Sequence, residues 1–251
     1  MKNTSLWRAC GTNMILAIAV YAGLLGLLWL AETFIPSAQG LLLHFDNTAW
    51  CVGIPASIVG VCYILTIKNP DNYTGFYAGI LMSLLLGVQC LLQSNYDLAV
   101  LFFFICIPFQ IKSIVEWKKK SQTAAAKEPF APSFLSWRGM LLSAAVFAAI
   151  AGLDYMQILY VSKTDSGLLL NLLSCFLFSS QIIANFWLIY HKNDTWSYWI
   201  IYSATGIVFF AILGNVFSVV LFCFFLVINS LACHSWVRST PKANYGWLHG
   251  E

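Results

Sequence analysis

Charged side chains are scarce in this sequence. They make up 9% of the 251 residues, whereas hydrophobic side chains make up 60%, and a soluble domain carries about 25% charged residues. So little polar surface cannot cover a globule in water, and we expect lipid to surround most of the chain. The formal net charge is only +3, which gives no reason to expect nucleic acid as a partner.

Catalytic and metal-binding patterns are missing as well. The four histidines do not pair with Cys, Asp or Glu at metal-ligand spacing, and the eight cysteines include no C-x-x-C pair. Neither G-x-S-x-G nor a phosphate-binding glycine loop occurs. The longest predicted cytoplasmic loop, 118–137, is too short for a nucleotide-binding domain. We therefore expect no catalytic residues, no metal and no cofactor, and the cysteines should pack as small hydrophobic side chains.

Long apolar runs, by contrast, are abundant. A membrane-spanning helix needs about 20 mostly apolar residues. Eight such runs occur, at 12–32, 49–67, 73–93, 98–117, 138–161, 167–190, 196–213 and 216–237. The first exceeds the apolar core of a signal peptide, which has about 7–15 residues, so we interpret it as a retained helix. The sequence therefore predicts an all-α integral membrane protein of about eight transmembrane helices.

Positive charges lie almost entirely on one side of these spans. With a cytoplasmic N-terminus, the outer side carries only Lys163. The cytoplasmic side carries Lys2, Arg8, Lys68, Lys118, Lys119, Lys120, Lys127, Arg138, Lys192, Arg238 and Lys242. Lys and Arg concentrate in cytoplasmic loops, so both termini are predicted to be cytoplasmic. Removing one span would scramble this alternation, which favours an even number of spans.

Two parts of the sequence resemble each other. Lys-Asn precedes an aromatic residue after the second span and again after the sixth, at 68–73 and 192–196. Gln110 lies seven residues before Trp117, and Asn229 lies seven before Trp236. Spans 2–4 and 6–8 are thus predicted to form a parallel repeat, an architecture that transporters use. The alternative is that any membrane boundary offers Lys, Asn and aromatics.

The repeat predicts a division of the chain into five parts. These are an extra N-terminal helix with an outer loop at 1–48, a first three-helix repeat at 49–117, a cytoplasmic loop with a linker helix at 118–166, a second three-helix repeat at 167–237 and a cytoplasmic tail at 238–251.

Several amide side chains fall inside the predicted spans. Gln181 and Asn185 share one face of the sixth span with other polar residues, and Gln89, Gln110 and Asn229 lie in the third, fourth and eighth spans. Polar groups in lipid-spanning helices usually face protein or a water-filled cavity. Amides can donate and accept hydrogen bonds, so this set suits a neutral or weakly charged solute. The alternative is that they bond neighbouring helices together.

Two tryptophans open the seventh span. Trp196 and Trp199 share a helix face, and Ser203 lies one turn further along it. Indole faces can stack on a planar ring, and they attract a cationic ring by about 0.5–2 kcal/mol. The alternative is the aromatic belt that anchors helices at the headgroup level.

Two ionisable residues lie within the predicted spans. Lys112 is close to the cytoplasmic end of the fourth span, where its side chain can reach the headgroups. Asp154 lies several residues before the outer end of the fifth span and is a candidate proton site. A transport role for either residue stays open.

The seventh span and its neighbours resemble a known family. The segment Trp196–Trp199, preceded by Lys192 and by a span containing Gln181-x-x-Ala184, is similar to the W-x-x-W region of the PnuC vitamin transporters. The stretch that continues to Asn229 and Trp236 resembles the last helices of that family.

This resemblance covers residues 49–237. It implies a 3+1+3 fold related to the SWEET sugar transporters, with an extra N-terminal helix as in some members. It also implies facilitated diffusion of nicotinamide riboside, a vitamin B3 precursor, followed by trapping through a cytoplasmic kinase. A homotrimer in a bacterial inner membrane is expected on the same grounds. Trp196 and Trp199, together with Gln181 and Asn229, would then contact the solute.

Three other functions stay open. Relatives in this family move thiamine or riboflavin, and Ser203 stands where some members have Asn, so another B vitamin is one alternative. A proton-coupled porter that uses Asp154 is the second. The third is a membrane receptor or assembly subunit that binds a ligand without translocating it.

Overall fold

The computed structural model describes residues 2–34, 49–70, 72–92, 96–124, 131–162, 167–214, 216–241 and 244–245. Across these residues the protein consists of helices and turns with one isolated backbone bridge, which confirms the predicted all-α class. The chain forms two compact units, Met1–Lys127 and Glu128–Glu251.

The first unit begins with a long helix, α1 (Lys2–Phe34). The π-helical turn Ala49–Gly53 leads into α2 (Ile54–Ile67), where a proline in the first turn needs no hydrogen-bond partner for its nitrogen. A turn then leads to α3 (Gly75–Leu92). The last part of this unit is a continuous series of helical segments. It comprises α4 (Tyr96–Val100), the π-helical segment Leu101–Cys106 and α5 (Ile107–Ala124).

The second unit has four helices among its described residues. Ser136 caps α6 (Trp137–Gln157) by accepting a hydrogen bond from the Gly139 backbone N–H at 3.3 Å. This helix continues as the π-helical turn Ile158–Ser162. The others are α7 (Leu168–Ile189), α8 (Asp194–Ile212) and α9 (Val216–Ser239), and α7, α8 and α9 pack in sequence order.

Seven helices among the described residues are long and apolar enough to cross a membrane. They cover Thr4–Phe34, Gly75–Leu92, Leu98–Ser121, Trp137–Tyr160, Leu168–Ile189, Asp194–Ile212 and Ser218–Ser239. The second predicted span is also helical, but its apolar stretch, Cys51–Ile67, is shorter than the other seven. Each predicted span therefore corresponds to a helix, and eight crossings stay a prediction.

In each unit, the first helix is hydrogen-bonded through side chains to the helix that follows it. In the first unit, Asn13 on α1 donates to the Thr66 hydroxyl on α2 at 3.0 Å. In the second unit, the Trp187 indole N–H on α7 donates to Ser143 Oγ on α6 at 2.8 Å, and that hydroxyl lies 2.7 Å from the Tyr198 hydroxyl on α8. The fifth predicted span is thus anchored to α7 and α8.

The turn between α7 and α8 pairs with the segment that precedes α6. The Ser133 backbone N–H donates to the His191 carbonyl at 3.2 Å, and the Asn193 N–H donates back to the Ser133 carbonyl at 2.9 Å. The Lys192 ammonium donates to Ser133 Oγ at 2.9 Å. Burial lowers the pKa of Lys192, and the neighbouring Asp194 carboxylate partly opposes this shift. These bonds hold the α7–α8 turn against the segment that precedes α6, at the predicted cytoplasmic end of the second unit.

Candidate functional site

The two predicted tryptophans lie near the start of α8 and are buried. Trp196 exposes 0% of its surface and Trp199 exposes 5%, whereas an aromatic belt would leave such rings on the lipid-facing surface. Trp196 meets the edge of Trp236 on α9, with ring centroids 5.4 Å apart and planes 77° apart. Among the described residues, neither the Trp196 nor the Trp199 indole N–H finds an acceptor.

Asn229 on α9 lies directly against α8. Its amide nitrogen donates to Ser203 Oγ at 3.0 Å and to the Trp199 carbonyl at 3.3 Å. The Ser203 hydroxyl in turn donates to the same Trp199 carbonyl at 2.8 Å. Asn229 is buried, and its Oδ1 has no donor within the described part of the chain. The amide is thus held on one side only.

Gln181 and Asn185 lie on α7, one turn apart, and both are buried. The Asn185 amide nitrogen donates to the Gln181 carbonyl at 2.8 Å, a bond within the helix. Next to this face of α7, the Thr195 hydroxyl at the start of α8 donates to the Ala184 carbonyl. Both α7 amides are thus buried in the protein, and their contact with a solute stays a prediction.

The first unit holds a matching but smaller arrangement around Gln110 on α5. The Gln110 amide nitrogen donates to the Tyr63 hydroxyl on α2 at 3.3 Å. Seven residues further along α5, Trp117 meets Phe76 of α3 with centroids 4.7 Å apart and planes 83° apart. A Cβ at Gly79 would lie 2.7 Å from Gln110 Oε1, so a larger residue there would displace the amide from this position.

The other predicted polar residues are placed differently. Gln89 on α3 is half-buried, and its amide lies against Gly53 in the turn before α2. Lys112 is exposed, which fits a side chain that reaches the headgroups. Asp154 on α6 is half-buried and lies close to Cys175 on α7. Asp154 therefore lies at the α6–α7 contact.

Three residues important for this geometry were not selected as site residues from the sequence. Tyr63 receives the Gln110 amide, Trp236 packs on Trp196, and Phe222 occupies the space opposite Gly206. The signal for two of them was available, because Phe222, Asn229 and Trp236 repeat every seven residues, as do Phe103, Gln110 and Trp117. Seven residues are nearly two helical turns, so each set lies along one face.

The second unit therefore presents a defined set of hydrogen-bonding groups. Two indole N–H donors and one amide acceptor, all buried, lack partners within the described residues. A buried polar group without a partner costs about 1–3 kcal/mol, so such groups mark places where water or a solute binds. The set fits a solute that offers hydrogen-bond acceptors to the indoles, a donor to Asn229 and a planar ring.

Comparison with known families matches residues 49–238 to the family described as nicotinamide mononucleotide transporter. No curated protein matches the sequence.

One solved structure resembles the chain over nearly its whole length. It is described as the crystal structure of the vitamin B3 transporter PnuC. The two chains share 15% sequence identity with a TM-score of 0.62, over 91% of this chain and 93% of the other. At this identity, the likeness concerns the fold.

Proposed function

This chain belongs to the nicotinamide mononucleotide transporter family, and we propose that it carries nicotinamide riboside across the membrane by facilitated diffusion. The resemblance to the PnuC transporters noted in the sequence is confirmed by that match and by the similar fold. Within this family, the buried side chains of the second unit favour this solute.

The observation that carries the proposal is the pair of buried indoles on α8, the helix to which Asn229 is hydrogen-bonded. The pyridinium ring of the riboside is planar and cationic, which suits contact with indole faces. Its ribose and carboxamide oxygens can accept from the Trp196 and Trp199 N–H groups, and its carboxamide and hydroxyl protons can reach Asn229 Oδ1. One solute can therefore satisfy all three groups.

The same set of residues favours the riboside over the mononucleotide. A phosphate dianion inside a membrane protein needs basic side chains or several N–H groups around it. The buried residues of α8 and α9 proposed for the site carry no positive charge; they are Trp196, Trp199, Ser203, Asn229 and Trp236. Removing the phosphate removes that requirement and leaves a single cationic ring.

Thiamine is the nearest competitor. It also carries a cationic ring and an amino donor, but it has fewer hydroxyl groups than the riboside. More of the amides would then find no hydrogen-bond partner on the solute, among them Gln181 and Asn185 in the second unit. This difference favours the riboside.

Several features of the assembly belong to the same proposal. Two parallel three-helix repeats with a linker helix are supported by the Gln110–Trp117 and Asn229–Trp236 pairs, each with its tryptophan on an aromatic residue of the middle helix. The division at 1–48, 49–117, 118–166, 167–237 and 238–251 follows from that repeat. A homotrimer in a bacterial inner membrane and trapping of the riboside by a cytoplasmic kinase complete the proposal.

Uptake into proteoliposomes tests the solute. Purified protein should let labelled nicotinamide riboside equilibrate across the bilayer faster than protein-free liposomes do. Unlabelled riboside should compete, whereas nicotinamide mononucleotide should compete poorly. Entry of thiamine without the riboside would instead support the thiamine alternative.

Substitution of Trp199 by Ala tests the site. We expect the affinity for the riboside to fall about ten-fold or more, because an aromatic contact and a buried donor are both lost. Trp137→Ala is a matched control, because Trp137 is exposed at the start of α6. If both variants bind the riboside like the parent, Trp199 has no part in solute binding.

Two further measurements separate the remaining mechanisms. Under facilitated diffusion, a pH gradient should not concentrate the riboside, and Asp154→Asn should transport like the parent protein. Accumulation driven by the gradient and lost in Asp154→Asn would support a proton-coupled porter. Tight binding without flux in either direction would support a receptor.

A further inference from the structure

The orientation of the Asn229 amide is fixed by α8. The Trp199 carbonyl lies 3.3 Å from one end of this amide. A backbone carbonyl can only accept, so that end must be the nitrogen. The reversed amide would bring two oxygen acceptors together.

Ser203 completes this arrangement. Its hydroxyl proton is directed to the Trp199 carbonyl at 2.8 Å, so its lone pairs face the Asn229 nitrogen at 3.0 Å. The Asn229 amide nitrogen thus has two acceptors on α8, and its Oδ1 is left as a buried acceptor with no donor in the described residues.

From this geometry we infer that Ser203 is a positioning residue that makes Asn229 an acceptor, so that the bound solute must present an N–H or O–H donor there. The inference rests on the proposed function for the identity of the solute, though the amide orientation itself does not. A solute with a carboxylate at the same place would bring negative oxygen against Oδ1. The site should therefore discriminate a carboxamide from a carboxylate.

Three substitutions test the role of Ser203. Ser203→Ala removes the shorter of the two hydrogen bonds from the Asn229 amide nitrogen and leaves only the 3.3 Å bond to the Trp199 carbonyl, so the amide is held less firmly and rotates more easily. Ser203→Thr keeps the hydroxyl and should restore the orientation. Ser230→Ala is the matched control, because Ser230 follows Asn229 directly but is exposed and bonds only the Leu226 carbonyl of its own helix, at 2.8 Å.

The first measurement is binding of nicotinamide riboside and nicotinic acid riboside to the full-length protein in detergent. Ser203→Ala should bind nicotinamide riboside about ten-fold more weakly and should lose most of its preference over nicotinic acid riboside. Ser203→Thr and Ser230→Ala should keep both the affinity and the preference. A folded Ser203→Ala protein with parental affinity and preference would overturn the inference.

The second measurement needs no solute. Protein labelled with ¹⁵N-asparagine should show a side-chain NH₂ signal for Asn229, assigned by its loss in Asn229→Asp. In Ser203→Ala this signal should shift and its protons should exchange faster with water, whereas Ser203→Thr should resemble the parent. If the parent protein binds no riboside, the proposed solute is wrong, and this signal still decides the role of Ser203. An unchanged signal in Ser203→Ala would refute it.

Discussion

At the residue scale, buried polar side chains in the second unit differ in whether they find a hydrogen-bond partner. Ser143, Trp187 and Tyr198 bond to one another across three helices, at 2.7–2.8 Å. Trp196 and Trp199, in contrast, have N–H groups that no described residue accepts. A fully paired network stabilises helix packing, whereas unpaired groups are costly to the empty protein and are retained for a ligand. The contrast predicts that Ser143 acts on stability and that Trp196 and Trp199 act on solute binding.

Ser143→Ala should destabilise the second unit. The Trp187 N–H would lose its acceptor and the Tyr198 hydroxyl its partner, at a cost of about 1–2 kcal/mol. Thermal unfolding in detergent should show a lower midpoint than for the parent. Ser180→Ala is the control, because this equally buried hydroxyl bonds only the Phe176 carbonyl within α7. Equal midpoints for the two variants would contradict a structural role for Ser143.

At the scale of the element, close packing of helices depends on glycine opposite phenylalanine. A Cβ at Gly206 on α8 would overlap the Phe222 ring on α9, and one at Gly87 on α3 would lie 2.6 Å from the Phe103 ring. Small residues let helix backbones approach closely in membranes, where van der Waals packing drives association. Phe222 lies seven residues before Asn229, so this contact also sets how close Asn229 comes to α8.

Gly206→Ala should therefore weaken the α8–α9 packing. An added methyl group in a filled space costs about 1–3 kcal/mol, and the displaced α9 should also reduce riboside affinity. Gly152→Ala on α6 should be neutral or slightly stabilising, because nothing lies within 4 Å of a Cβ there and alanine favours helix. Both effects are read from thermal unfolding and riboside binding. A Gly206→Ala protein as stable as Gly152→Ala would exclude a tight contact.

The sequence predicts the helices well because apolar length is what the bilayer selects. The runs at 167–190 and 216–237 correspond to Leu168–Ile189 and Val216–Ser239. The fourth run ends at 117, whereas α5 continues to Ala124, since helical hydrogen bonds persist after the apolar residues stop.

The candidate site is predicted only in part. Asn229 and the tryptophans stand out as polar or aromatic residues inside apolar runs. The interaction of Ser203 with Asn229 depends on two helices distant in sequence, which composition and periodicity cannot reveal.

At the scale of the whole molecule, charge decides how the chain is oriented in the membrane. The predicted cytoplasmic loops carry the three consecutive lysines Lys118–Lys120, whereas the predicted outer side carries only Lys163. The positive-inside tendency then favours cytoplasmic termini.

Reporter fusions test this orientation. Green fluorescent protein fused after Lys120 should fluoresce, and alkaline phosphatase fused after Lys163 should be active, because the first reporter works in the cytoplasm and the second outside it. Exchanging the two reporters between the positions is the control and should silence both. Activity in the exchanged pair alone would show that the chain has the opposite orientation.

The pairing of Ser133 with the α7–α8 turn has a mechanical consequence. Ser133 bonds the backbone of His191 and Asn193 and the side chain of Lys192, and Lys192 lies only four residues before Trp196. Asn244 belongs to the same group of hydrogen-bonded residues, because its side-chain amide donates to the Pro132 carbonyl at 3.2 Å. The segment before α6 and Asn244 are therefore joined by hydrogen bonds to the turn that leads into α8, so a shift of that segment would reach the first turn of α8, where Trp196 lies.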